Sequence, residues 1–231
     1  MSEHHKTFYG RRRGRPLRVA KTHAMETLLP GLRITFEEGR PLDPRAFFPG
    51  HEGPLWFEIG FGGGEHLAGL VRDHKDTCFV GSEVFLNGVA SILTQVAPEN
   101  VSRVRVYPED VRPMVETLTS ASFARIFVMF PDPWPKARHA KRRLLQTPFF
   151  EELARLLVPG GTLHVASDHA DYVEHILEHA RAAKSLTLLG DESTWSTPFF
   201  EGRYPTRYEA KAKEAGRLCQ YFMFEKDALS Q

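Results

Sequence analysis

From Leu55 onward, short apolar runs alternate with amphipathic stretches of different period. LWFEI (55–59) is a continuous apolar run and predicts a strand, whereas EHLAGLVRDH (65–74) carries Leu67, Leu70 and Val71 at helical spacing. The alternation continues through strand CFVGSEV (78–84), helix LNGVASILTQV (86–96), strand VRVY (104–107) and a helix starting near Asp110. After these come strand ARIFVMF (124–130), helix PFFEELARLLV (148–158), strand TLHVAS (162–167) and helix DYVEHILEHARAA (171–183). This β-α-β-α register predicts an α/β fold, an open and mostly parallel sheet with helices on both faces. LTLL (186–189) and LCQYFMFE (218–225) supply edge strands or an antiparallel hairpin, and no internal repeat is present.

A chain of 231 residues with 42% hydrophobic content can bury one full core. The expected division is a basic, mobile N-terminal arm over residues 1–27 and a single domain over 28–231, with an irregular Pro- and Gly-rich lead-in from Leu28 to Pro54. No run is long and apolar enough to span a bilayer and none resembles a secretory signal, so a cytoplasmic protein without a membrane partner is expected. Cys78 and Cys219 lack any metal-ligand spacing and read as two buried thiols, with neither disulfide nor metal. A monomer or weak homodimer is expected.

The formal net charge of +1 conceals an uneven distribution. Lys6 to His23 holds seven Lys/Arg and no acid, and Lys136 to Arg143 is a second cationic string without an acid. Either string suits a polyanion. For the arm a solvated tail is an equal reading, and an Arg-rich transit peptide a weaker one.

Ligands of open α/β sheets bind beyond the carboxyl ends of the strands, and four acids fall there: Glu58, Glu83, Asp110 and Asp132. Gly60, Gly62 and Gly64 between the first strand and its helix remove side chains where backbone must approach a ligand. Glu65 stands where the dinucleotide fingerprint needs a glycine, and together with Glu58 it would repel a phosphate. A cationic ligand fits better. S-adenosylmethionine has no phosphate, carries an ammonium and a sulfonium, and offers a ribose diol to Glu83, which lies 25 residues after Glu58. Asp110 is placed to accept from the adenine amino group, or simply to cap the following helix. The Pro-Gly-Gly of LVPGGTLHV (157–165) suits the same architecture and is also an ordinary turn signal.

Asp132 sits between Pro131 and Pro133, with Trp134 and Pro135 after it. Because Phe130, Asp132 and Trp134 each precede a proline, an extended, stiff stub is expected to hold the carboxylate at the cleft mouth. Methyl transfer from a sulfonium moves positive charge onto the acceptor, which a carboxylate there would favour. Trp134 either stacks on a planar acceptor or covers the sheet edge. The cations from Lys136 to Arg143 would hold a phosphate backbone. His175, Glu178 and His179 match an H-x-x-E-H zinc pattern, but the apolar face of that helix runs through Tyr172, Val173, Ile176, Leu177 and Ala180. The two histidines are therefore expected on a solvated stripe, not at a metal.

The ordered segments FEIGFGGG, GSEV, PED, FPDPWPKARHAKRR, ASD and TRYE resemble those of the bacterial tRNA (guanine-N7)-methyltransferases, over about Leu55 to Lys226. The resemblance implies a Rossmann-like class I methyltransferase with a seven-stranded sheet, using S-adenosylmethionine to methylate a variable-loop guanine of tRNA. It implies that Glu58, Gly60, Gly62, Glu83, Asp110 and Asp132 line the cofactor site, with Asp132 also catalytic. Lys136, Asp168, Thr206, Arg207, Tyr208 and Glu209 would bind substrate, and Arg138, His139, Lys141, Arg142 and Arg143 would contact RNA. Arg207 and Tyr208 replace the family's usual Lys and Phe, and Pro135 a frequent His. Read without the family, Asp168 is also an N-cap for the helix from Ala170. Two other readings are a catalytically silent RNA-binding protein of this fold and a nicotinamide-dependent dehydrogenase.

Overall fold

The computed structural model describes residues 11–198 and 204–227. Helices α1 (Val19–Thr27) and α2 (Leu29–Leu32) and a 3-10 turn (Pro44–Phe47) precede the sheet. The sheet region then runs β1 (Leu55–Ile59), α3 (Glu65–Asp73), β2 (Cys78–Ser82), α4 (Leu86–Leu93), β3 (Val104–Tyr107), α5 (Val111–Thr117) and β4 (Phe123–Met129). A basic 3-10 helix (Ala137–Arg142) leads to α6 (Thr147–Leu156), β5 (Leu157–Ser167), α7 (Ala170–Ala182), β6 (Leu186–Leu189), α8 (Arg207–Glu214) and β7 (Gln220–Lys226). The seven strands lie in the order β3-β2-β1-β4-β5-β7-β6, parallel from β3 through β5, with β7 antiparallel to both β5 and β6.

Alternate strand residues feed two cores, as the strand period of two requires. Leu55, Phe57, Val80, Ile126 and Val165 pack with α5, α6 and α7. Trp56, Phe79, Phe127 and Met129 pack with α1, α3, α4 and α8. Both faces are covered, which is why the parallel strands read as continuous apolar runs.

Arg103 fixes the far end of α3. Buried at 5% exposure, it donates from Nη2 to the carbonyl of Val71 and the side chain of Asn100, and from Nη1 to the carbonyls of His74 and Thr77. It thereby satisfies acceptors that the helix terminus leaves open.

Several expectations change. Residues 11–27 are packed against the domain: Leu86 N–H donates to the Arg12 carbonyl at 3.0 Å, and Asn87 accepts from Gly14 N–H (2.8 Å) and donates to the Arg15 carbonyl (2.7 Å). Residues 1–10 of the expected arm lie outside the described residues. The Pro-Gly-Gly stretch belongs to a longer β5, because Leu157 already pairs with Phe123 before a register shift, and Gly160 (φ +72°) takes up the bend. The apolar face of α7 is the one its spacing predicts. His175 and His179 are nevertheless half-buried rather than solvated: Nε2 of His175 meets the Leu145 carbonyl (3.0 Å), and Nδ1 of His179 accepts from Thr147 N–H (3.1 Å). Burial pushes His175 down to about 4, and the two rings tie α7 to the entry of α6.

Arg103→Met should remove three carbonyl partners at once and lower unfolding stability by about 3 kcal/mol in urea denaturation; a change below about 1 kcal/mol would show that the α3 terminus does not depend on it.

Candidate active site

Strand order reverses between β1 and β4, and the chain leaving each strand borders one cleft. Its cavity, of about 350 Å³, is lined by Gly60 and Gly62 after β1, Glu83 and Phe85 after β2, Glu109 to Arg112 after β3, and Phe130 to Asp132 after β4. Trp134, Arg142, Leu144 and Tyr208 close the rim, and Arg11 reaches in from the N-terminal segment.

Glu83 shapes the floor. Its Oε2 accepts from Gly62 N–H (2.7 Å) and its Oε1 from Phe85 N–H (2.8 Å), so the carboxylate pins the glycine turn to the start of α4. Burial pushes its pKa up; the N–H donors of Phe85, Gly62 and Val84 oppose this, and the nearby Asp132 charge adds to the rise. A carboxylate has about four acceptor sites, so these donors leave capacity for a ligand hydroxyl. The turn also depends on Gly88 in α4, where a Cβ would lie 2.0 Å from the Gly62 carbonyl oxygen.

Asp110 does what its capping signal predicts, accepting from Arg112 N–H (3.1 Å) at the head of α5. It is also held by the Arg112 guanidinium, through Nε to Oδ1 (3.0 Å) and Nη2 to Oδ2 (2.6 Å).

Glu58 does not line the cavity. Its side chain points to the α3 face, 2% exposed, and Oε2 meets His66 Nδ1 at 2.9 Å. It supports β1 against α3 beneath the turn.

Asp132 stands at the mouth, exposed to the cleft, and burial by surrounding protein holds its carboxyl above the ordinary value of 3.8. The stub that carries it is not extended: φ is +53° at Phe130 and +43° at Trp134. Phe130 N–H still bonds the Ala166 carbonyl (2.8 Å), so the chain completes its ladder with β5 and then turns away sharply. Two non-glycine residues at positive φ around one acid represent stored strain, about 1–3 kcal/mol each.

The residues expected to bind substrate scatter. Tyr208 enters the cleft over Gly62, and burial followed by the charges of Glu83 and Asp132 raises its phenol pKa. Thr206 caps α8 by accepting from Glu209 N–H (3.1 Å), and Arg207 pairs with Glu65 across the glycine turn. Glu209 is buried at 1% and bound to Lys213 (2.9 Å). Asp168 lies outside the cavity and accepts from Arg217 Nε (2.7 Å). It is not the N-cap of α7; that position is His169, which makes no side-chain cap.

Of the cations, Lys136, Arg138 and Lys141 are exposed on the 3-10 turn and His139 is partly so. Arg142 lies over the Trp134 ring, 5.0 Å from its centroid, at the cavity rim. Arg143 is buried at 8% and turned inward. Arg11 and Arg112 were not anticipated from sequence; nothing in their spacing distinguishes a cleft arginine from a surface one. Among the described residues no group of three His, Cys, Asp or Glu is arranged to hold a metal ion, and no helix is long and apolar enough to cross a membrane.

The family described as putative methyltransferases matches residues 52–220. A tRNA (guanine-N(7)-)-methyltransferase of Rhodospirillum rubrum is 43% identical over 95% of this chain and 87% of the relative. One of Rhizobium meliloti is 39% identical over 95% and 94%. Among solved structures, an antibiotic-related methyltransferase superposes with TM-score 0.55 at 11% identity, covering 87% of this chain and 98% of that one. The 16S rRNA methyltransferase KamB gives TM-score 0.54 at 12% identity over 79% and 92%. At such identities these two likenesses show the fold alone.

A carboxyl raised by burial costs stability when ionised, fully at pH above its folded-state pKa and not at all below 3.8. Asp132→Asn should therefore raise Tm at pH 7.5 by on the order of 1–2 °C, a small gain because solvent still reaches the group. The gain should vanish as pH falls toward 3.8; a lower Tm, or a gain independent of pH, would contradict the assigned cause.

Proposed function

Because the chain belongs to the family of tRNA (guanine-N7)-methyltransferases, we propose that it transfers the methyl group of S-adenosylmethionine to N7 of a guanine in tRNA. The observation that supports this most directly is the meeting of Asp132 with Glu83 and the glycine turn in one cleft, whose rim continues into the cationic 3-10 turn.

The donor set suits S-adenosylmethionine. Gly60 and Gly62, at φ +72° and +57°, expose backbone where a ligand must come close. Glu83 keeps acceptor capacity for a ribose hydroxyl, Asp110 is held at the cleft wall by Arg112, and the carboxylates of Glu83 and Asp132 favour a ligand of positive charge. When bound, this cofactor supplies an electrophilic methyl on a sulfonium.

Guanine N7 has a lone pair and no proton, so the chain need not supply a general base. Asp132 instead presents negative charge where the acceptor ring becomes cationic, and it can accept the ring's N–H groups to orient it. The restricted backbone on either side of it matters, because preorganised charge needs no rearrangement during the transfer. Tyr208 narrows the cleft over Gly62. Arg142, over the Trp134 ring, adds a cation at the cavity rim. Lys136, Arg138 and Lys141 carry the charge that would follow the RNA backbone. N7 faces the deep groove of A-form RNA, so the target base must be splayed out by tRNA structure or turned outward. The presence of Glu83, Asp110 and Asp132 together argues for catalysis over silent binding.

Incubation with unmodified tRNA and methyl-labelled cofactor, followed by reduction and aniline cleavage, should map the label to guanine N7. Label in protein or at another base atom would reject the proposal. Asp132→Ala should lower kcat by at least about 10²-fold, with tRNA affinity kept, and near-normal turnover would remove its catalytic role.

For tRNA affinity, alanine at Lys136, Arg138 and Lys141 together should flatten the slope of log K against log salt by about 0.7–0.9 for each phosphate no longer neutralised. An unchanged slope would place the RNA elsewhere.

A further inference from the structure

The cationic string ends on an arginine that does not face solvent. Arg143 is 8% exposed, whereas Lys136, Arg138 and Lys141 in the same string are open. Its Nε donates to the Pro133 carbonyl at 2.9 Å and its Nη1 to the Asp171 carbonyl at 3.1 Å. The guanidinium carbon lies 5.1 Å from the centre of the Tyr172 ring. Its backbone N–H closes the 3-10 turn onto Ala140 at 3.0 Å. One residue thus joins the corner after β4, the basic turn and the first turn of α7.

The corner needs such a tie. Pro131, Pro133 and Pro135 bring no N–H donors, so that stretch cannot extend the ladder as a strand would. Phe130 and Trp134 are held at positive φ, a geometry that persists only where surroundings impose it. Pro133 directly follows Asp132, so a grip on its carbonyl limits rotation of the carboxylate-bearing unit. The side chain must be arginine: a planar fork reaches carbonyls on two elements while lying against an aromatic face, and an ammonium cannot do both.

We propose that Arg143 is a positioning residue for Asp132, clamping the Pro133 carbonyl against α7 so that the carboxylate faces the cleft, and that it is not an RNA contact. The proposal rests on the reading that Asp132 acts in methyl transfer. Displacing a group by about 1 Å at a reacting centre costs up to about 10²-fold, and that sets the scale of the effect.

The test compares Arg143→Met and Arg143→Lys with Arg155→Met. Arg155 makes the same kind of bonds far from the corner, to the carbonyls of Leu118 (2.7 Å) and Val115 (2.8 Å). Active-site-normalised kcat should fall by about 10²-fold in Arg143→Met and about tenfold in Arg143→Lys. KM for tRNA should stay within about threefold, and the salt slope of binding should not change. Arg155→Met should lose Tm and keep kcat. An unchanged kcat in both Arg143 variants, a raised KM with a flatter salt slope, or an equal kcat loss in Arg155→Met would each overturn the proposal. Should Arg143→Met not fold, Arg143→Lys decides alone.

A double-variant cycle in single turnover isolates the route. In an Asp132→Asn background Arg143→Met should add less than about threefold, because the group it positions is already gone. A full multiplicative loss there overturns the positioning role while leaving Asp132 catalytic. Near-normal turnover by Asp132→Asn alone instead defeats the reading of Asp132, and with it the clamp's purpose.

Discussion

Parallel pairing of β1 with β4 is the constraint from which the cleft follows. Trp56, Phe57 and Glu58 align with Arg125, Ile126 and Phe127, although β2 and β3 separate the two strands in sequence. Parallel strands discharge their chains on one side, so the glycine turn after Ile59 and the proline corner after Met129 arrive at the same edge. Because the order reverses there, helices depart to opposite faces and leave the gap uncovered. Glu83, one strand further out, spans back to Gly62 and makes the turn a fixed wall. The aromatic packing of Phe57 on Phe123, with centroids 5.2 Å apart, locks this pairing from the core side.

Charge is sorted by its relation to that gap. Glu83, Asp110 and Asp132 line the interior together with Arg11, Arg112 and Arg142, while Lys136, Arg138 and Lys141 stand outside it with no acid among them. Other cations serve the backbone: Arg103, Arg143, Arg155 and Lys226 all donate to main-chain carbonyls. A near-neutral total therefore describes neither the cleft nor the rim. Guanidinium groups suit the internal role because their fork satisfies separated carbonyls at once, as Arg103 does for α3.

The alternation of apolar runs made every strand of the sheet legible, since two covered faces leave an unbroken hydrophobic signature. It also gave the apolar face of α7 residue by residue. Strand-end position sufficed to bring Glu83, Asp110 and Asp132 together, yet failed for Glu58, because side chains alternate and Glu58 falls on the α3 face with His66. Local rules failed wherever a distant partner decides. Pre-proline preference suggests an extended Phe130, but the chain leaves β4 and its pairing with β5 just after bonding Ala166. Composition groups Arg143 with the exposed cations of the basic turn, and only Pro133 and Asp171 reveal its direction. His175 and His179 look solvated on a helical wheel because the wheel omits the loop that enters α6.

Strain, desolvation and rigidity converge on the corner that bears Asp132. A carboxylate raised in pKa and two residues at positive φ are locally unfavourable, so this segment would relax if it were free to do so. It is not free. Phe130 is packed at 8% exposure with its ring edge-on to Tyr221 of β7, its N–H is bonded to β5, and the three prolines narrow the alternatives open to the unfolded chain. The unfavourable conformation is thus carried by a sheet whose own stability does not depend on it, and this is the preorganisation that the proposed role of Asp132 requires.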